Sequence, residues 1–109
     1  MSDGLEAQFA SVVQRAVRTC VALGYRPTYF LQMLDEHGPI DTARRLATAT
    51  ATSDGFTRLW ELGRLDLTVE ALMVRPEFEA LFSEAELTAA LRRLADYGYR
   101  RGRSAEAEA

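Results

Sequence analysis

Lysine is missing from this chain: all 13 of its Lys+Arg positions are arginine. A phosphate-cradling GxxxxGK loop, a Schiff-base amine, a Ser-Lys dyad and a lysine-dependent nuclease centre all need an ammonium group and are excluded. Cysteine, histidine and tryptophan occur once each, as Cys20, His37 and Trp60. A lone cysteine cannot close an internal disulfide, and no run approaches the ~18 apolar residues of a membrane span. The opening Met1-Ser2-Asp3-Gly4-Leu5-Glu6 lacks the basic start and apolar stretch of a secretory signal, so a cytoplasmic protein is expected.

What is present suits one folded domain. The 109 residues are 48 % apolar and 27 % charged, a normal balance for a globular chain, and domains commonly hold about 100–150 residues. The net charge of −3 is uneven: residues 1–52 carry five acids and five arginines, residues 53–99 nine and five, residues 100–109 two and three, giving 0, −4 and +1. An acidic body argues against non-specific nucleic-acid binding, which depends on neutralising phosphates.

Helical spacing dominates. Leu5, Phe9, Val12, Ala16, Cys20 and Leu23 recur at intervals of three and four, which predicts a helix over 4–23 with those six residues inward, capped by Ser2 or Asp3 and ended by Gly24. Arg26-Pro27-Thr28 starts a second helix, with Pro27 in its first turn or Thr28 as its cap. Its inner face is Tyr29, Phe30, Met33 and Leu34, and Gly38-Pro39 stops it. A third helix is expected from Ile40 to Ala47, with Ile40, Ala43, Leu46 and Ala47 inward. The stretch from Thr48 to Gly55, rich in Thr, Ser and Gly, is the main loop. Ser53 or Asp54 then caps a helix carrying Phe56, Leu59, Trp60 and Leu62 as far as Gly63.

Between Arg64 and Val74, Leu65, Leu67, Val69 and Ala71 alternate with polar residues as in a half-buried strand. A strand without a partner is improbable in so short a chain. The preferred reading is a helix from Thr68 burying Val69, Leu72 and Met73, entered through an extended Leu65-Asp66-Leu67 turn. Pro76 begins a further turn bearing Phe78, Leu81 and Phe82. Ser83-Glu84-Ala85-Glu86 has the spacing of a capping box for a last helix over 84–97, which buries Leu87, Leu91 and Leu94 and is closed by Gly98. The expected fold is all-α: a single compact bundle of about five to six short helices over residues 1–99, with a disordered charged tail over 100–109.

Few groups offer chemistry. Asp35-Glu36-His37 invites a metal reading, but consecutive helical residues point about 100° apart. The favoured alternative is a histidine at a helix C-terminus, where it suits the dipole. Cys20 and His37 are the only conceivable thiol nucleophile and base, yet Cys20 lies on an apolar stripe, where cysteine acts as a small hydrophobe. No cofactor and no metal are expected.

Arg58, Trp60, Glu61, Arg64 and Asp66 form the densest polar signal. Arg58, Glu61 and Arg64 are three apart and can ladder along one helical face, and arginine beside tryptophan is typical of a binding hot spot. Against this, so small a chain needs its largest apolar residue inside, which makes Trp60 the expected core anchor. The doublets Arg44-Arg45 and Arg92-Arg93 are candidate phosphate contacts, with a solvated helix edge as the favoured alternative.

Gly24-Tyr25-Arg26-Pro27-Thr28-Tyr29-Phe30-Leu31-Gln32-Met33-Leu34 with Gly38 and Thr42-Ala43-Arg44-Arg45-Leu46, then Asp54-Gly55-Phe56-Thr57-Arg58-Leu59-Trp60-Glu61-Leu62-Gly63-Arg64-Leu65-Asp66-Leu67-Thr68-Val69-Glu70-Ala71-Leu72, form a pattern that extends through Phe78, Leu81, Phe82 and Tyr97-Gly98-Tyr99. It resembles a group of small stand-alone bacterial proteins of unassigned function. The resemblance implies a bacterial source and a shared fold, and it implies no catalytic residue. The leading expectation is a non-enzymatic helical interaction module that contacts a protein partner or a second copy of itself. A nucleic-acid-associated accessory protein using the arginine doublets is the alternative, and a thiol enzyme using Cys20 and His37 the third reading.

Overall fold

In a computed structural model that describes residues 2–99, five α-helices and two 3-10 segments follow one another, with no strand among the described residues. The helices are α1 (Ser2–Ala22), α2 (Thr28–Thr48), α3 (Asp54–Glu61), α4 (Val69–Met73) and α5 (Glu84–Asp96). The 3-10 segments, Leu65–Leu67 and Pro76–Leu81, lie before and after α4. The tail expected over 100–109 lies outside the described residues. A radius of gyration of 12.9 Å equals the roughly 13 Å of a compact 100-residue chain.

The core forms around α4, which packs against α1, α2 and α5. This helix has only five residues, all buried, so it holds its shape through its surroundings rather than through propensity. From α1 the core takes Phe9, Val13, Ala16, Val17 and Cys20. Phe9 is wholly buried and meets Phe78 and Phe82 edge-on at 5.2 and 5.4 Å. Val13 and Val17 were not among the expected six, and Leu23 is 44 % exposed because α1 ends at Ala22, one residue short of it. Ser2 and Asp3 fall within the span of α1, which begins at Ser2.

The second and third expected helices are one element with a break. Gly38 takes φ 81° and ψ 167° inside α2, a conformation natural to glycine, and Pro39 follows without an amide hydrogen to donate. Across that break the buried Thr42 hydroxyl donates to the Met33 carbonyl at 3.0 Å. It supplies a carbonyl near the interruption with a partner. Pro27, not Thr28, occupies the N-cap of α2, without a side-chain cap bond. Tyr29 in the first turn is 64 % exposed rather than inward.

The caps expected at Ser53 and Ser83 form, and Thr68 adds a third. The Ser53 hydroxyl oxygen accepts from the Phe56 amide at 3.1 Å. Thr68 accepts from the Ala71 amide at 3.2 Å and donates to the Leu65 carbonyl at 2.7 Å. Ser83 and Glu86 form the reciprocal capping box, at 3.1 and 2.8 Å. The 64–74 segment is helical from Val69 as preferred, and its entrance is a 3-10 turn rather than an extended one.

Candidate functional site

Three places bring chemistry-bearing side chains together. The first is a pocket of about 70 Å³ among α1, the start of α2, α3 and α4. Its walls are mainly apolar, including Val17, Phe30, Phe56 and Leu72. Its polar members are Cys20, Tyr25, Ser53, Asp54, Thr68 and Glu70. Ser53 and Thr68 are committed as helix caps. The Tyr25 hydroxyl lies over Gly55, where a methyl group would stand 3.2 Å from it. Burial, with the nearby Cys20 thiol and Asp54, pushes the Tyr25 phenol up, and Arg58 opposes the shift.

Cys20 is 4 % exposed. Burial raises its thiol pKa, Asp66 adds to the shift and Arg64 works against it. A thiol held protonated is a poor nucleophile. His37 lies in a different depression, with Glu6, Asp41 and Arg44, where its ring nitrogens are 3.8 Å from Glu36 and 3.7 Å from Asp41. It keeps its expected place at a helix C-terminus, as the last residue of the first half of α2 before the break at Gly38. Asp41 itself is hydrogen-bonded by Arg45 at 2.7 Å, which lowers its carboxyl pKa. No group of three or more His, Cys, Asp and Glu is placed to hold a metal ion among the described residues.

The second place centres on Glu70, which sequence reasoning missed because it reads as one polar step in an alternating run. It is 2 % exposed, and its Oε2 has no hydrogen-bond partner. Arg93 Nη1 stands 3.7 Å from that oxygen, within ion-pair range but beyond a hydrogen bond. The guanidinium is turned to α2 instead: Nη1 donates to the Leu46 carbonyl at 2.7 Å and Nη2 to the Ala49 carbonyl. Burial therefore outweighs the help from the Glu70 backbone amide and from Arg93, and the carboxyl pKa is raised. One arginine ties the end of α2 to α4 and α5.

The third place is the Arg/Trp segment. Trp60 is 47 % exposed and is not the expected core anchor, since Phe56 and Leu59 fill the inward face of α3. Tyr97 joins core to surface, meeting Phe56 edge-on at 5.0 Å and Trp60 at 5.4 Å. Beside Trp60 lies a groove of about 210 Å³ lined by Gly63, Leu65, Asp66, Tyr97 and Tyr99. Arg58 and Glu61 pair at 3.6 Å across exposed surface. The second rung of the ladder is replaced, for Arg64 turns to Asp66 and donates twice, at 3.0 and 3.1 Å. With Gly63 at φ 71° ending α3, that fork spans the turn.

Of the arginine doublets, Arg93 is taken up by the clamp. Arg45 pairs with Asp41, and Arg44 donates to the Leu81 carbonyl at 3.1 Å and faces Glu86 at 3.4 Å. Arg92 is exposed. No helix among the described residues is long and apolar enough to cross a membrane. Compared with protein-family models, with curated proteins and with solved structures, the chain matches none.

Proposed function

We propose that this chain is a non-catalytic helical binding module that engages a protein partner through the surface around Trp60. The observation that carries the reading is the half-exposed indole. A chain this short has every reason to bury its largest apolar residue, yet Trp60 stands at 47 % exposure beside an open groove. Its mount is rigid: Tyr97 backs it edge-on and the Arg64–Asp66 fork fixes the turn below. Tryptophan and arginine set in a rim of ion pairs is the composition of interface hot spots. Among the described residues the other large apolar side chains left exposed are Val21, Leu23 and Tyr29, which lie at or just past the C-terminal end of α1 and at the start of α2.

The nucleic-acid alternative draws less support, because Arg44, Arg45 and Arg93 already serve the protein's own carbonyls and carboxylates. The thiol-enzyme reading is weakened by the raised Cys20 thiol pKa and by charged neighbours that are Arg64 and Asp66 rather than His37.

The test places a photo-crosslinking amino acid at position 60 and, as a control, at position 92, in the native host. A discrete crosslinked protein species from position 60 alone is expected, and Arg58→Ala should weaken it. A second copy of this chain as the captured species would identify self-association. Equal or absent crosslinking at both positions would overturn the proposal.

A further inference from the structure

We infer that the groove beside Trp60 receives a cationic side chain, arginine or lysine, presented by the protein partner. The inference rests on the reading of the Trp60 surface as a protein-binding face and adds the chemistry of the group that enters it.

The walls of the groove favour positive charge in two ways. Trp60, Tyr97 and Tyr99 all line the space, and Trp60 meets Tyr97 at an interplanar angle of 78°, so those two rings form a corner rather than a stack. Ring faces carry the negative part of the aromatic quadrupole, and they attract a cation within about 6 Å of the ring centre, an indole most strongly. Two helix ends also converge here. Gly63 closes α3 at φ 71° and Gly98 closes α5 at φ 87°, and both line the groove. The two closures match: Gly63 and Arg64 donate to the Trp60 and Leu59 carbonyls at 3.0 and 2.8 Å, and Gly98 and Tyr99 to the Ala95 and Leu94 carbonyls at 3.0 and 2.9 Å. Each brings the negative end of a helix dipole to the same opening.

Side-chain charge points the same way. Among the described residues Asp66 is the only charged one in the wall, and Arg64 forks to it. The last residues of α3 and α5 are the acids Glu61 and Asp96, at positions where the dipole prefers a cation. Arg93, the basic residue in the last turn of α5, is turned away to α2. An anion would meet ring faces, two negative dipole ends and Asp66, while a neutral apolar group would gain burial alone. The size agrees, because the groove of about 210 Å³ exceeds the ~150 Å³ that encloses benzene, and a guanidinium or ammonium head is smaller than that ring.

The probes are the Nα-acetyl amides of arginine, lysine and citrulline, the last an uncharged near-isostere of arginine, each titrated into the full chain. Trp60 is the sole tryptophan, so its fluorescence reports this groove, and the NMR shifts of the Gly63 and Gly98 amides report it without the indole. The arginine amide should bind saturably and roughly five-fold tighter than the citrulline amide. Trp60→Phe should reduce that preference and Trp60→Leu should remove it, an order that ring quadrupoles impose and burial alone does not. Citrulline binding as tightly as arginine would overturn the cationic class. No saturable shift with any probe, while crosslinking at position 60 persists, would overturn this inference and leave the protein-binding reading standing. Arg100, Arg101 and Arg103 follow Tyr99 in the sequence; binding that emerges only after all three are changed to Ser would assign the groove to the chain's own arginines and overturn a partner's cation.

Discussion

The end of the molecule held by α4 and Arg93 and the end carrying Trp60 treat their most demanding side chains in opposite ways. Around α4 a carboxyl is taken out of water and left 3.7 Å from a guanidinium that donates to the neighbouring α2. Around α3 an indole is left half in water although apolar surroundings lie one turn away at Phe56. The first arrangement costs desolvation and gives the chain a specific way to close. The second forgoes core stabilisation and leaves a rigid aromatic available. On the proposed reading, stability and recognition fall to different elements.

Substitutions can break that contrast. The largest effect is expected from Phe9→Ala, which removes the ring held by Phe78 and Phe82 and should lower unfolding free energy by about 3–5 kcal/mol, read by chemical denaturation. Arg93→Ala should cost about 3 kcal/mol, since it frees the Leu46 and Ala49 carbonyls at the end of α2 and strips Glu70 of its counterion; restoration by Glu70→Gln in the same chain would show that the stranded carboxyl carried part of the loss. Ser83→Ala should cost about 1 kcal/mol by opening the capping box. Trp60→Ala should cost least, about 1 kcal/mol or below, while removing crosslinking or partner binding. A Trp60→Ala loss as large as that of Phe9→Ala would erase the distinction between the two ends.

Glu70 sharpens the comparison through pH. Its folded pKa lies above the ordinary value of 4.5, so over that window the folded chain holds a proton that the unfolded chain has released. Stability contributed by this group is therefore present at low pH and falls as pH rises through the folded value. Glu70→Gln should remove that fall, and the stability difference between the two chains should shift in favour of the variant as pH increases. Denaturation midpoints measured from pH 4 upward would register it, and a difference independent of pH would contradict the burial argument.

Local chemistry was the legible part of the sequence. Ser53 and Ser83 cap helices as their sequence spacing predicts, Thr68 caps α4 from the position where that helix was expected to begin, and Gly24, Gly38, Gly63 and Gly98 take positive φ. The all-helical class followed from spacing. What spacing could not supply was the rotation of each helix against its neighbours: Val13 and Val17 share the inward sector of α1 with Phe9 and Cys20, while Leu23 lies past its end. The Glu70–Arg93 contact joins residues 23 positions apart in sequence, and the pocket brings Val13 together with Leu72. A pairing of that kind is fixed by tertiary packing, which no local period encodes. Trp60 was misread because a compositional argument about size ignored that Phe56 and Leu59 already fill the inward face of α3.

The bond from Thr42 to Met33 also decides how α2 can move. A glycine–proline interruption would ordinarily leave two rods that fray separately, yet this hydroxyl latches the far side of the elbow to the near side from within the core. Amide protons of the two halves are then expected to exchange with solvent in a single opening event, at one common free energy.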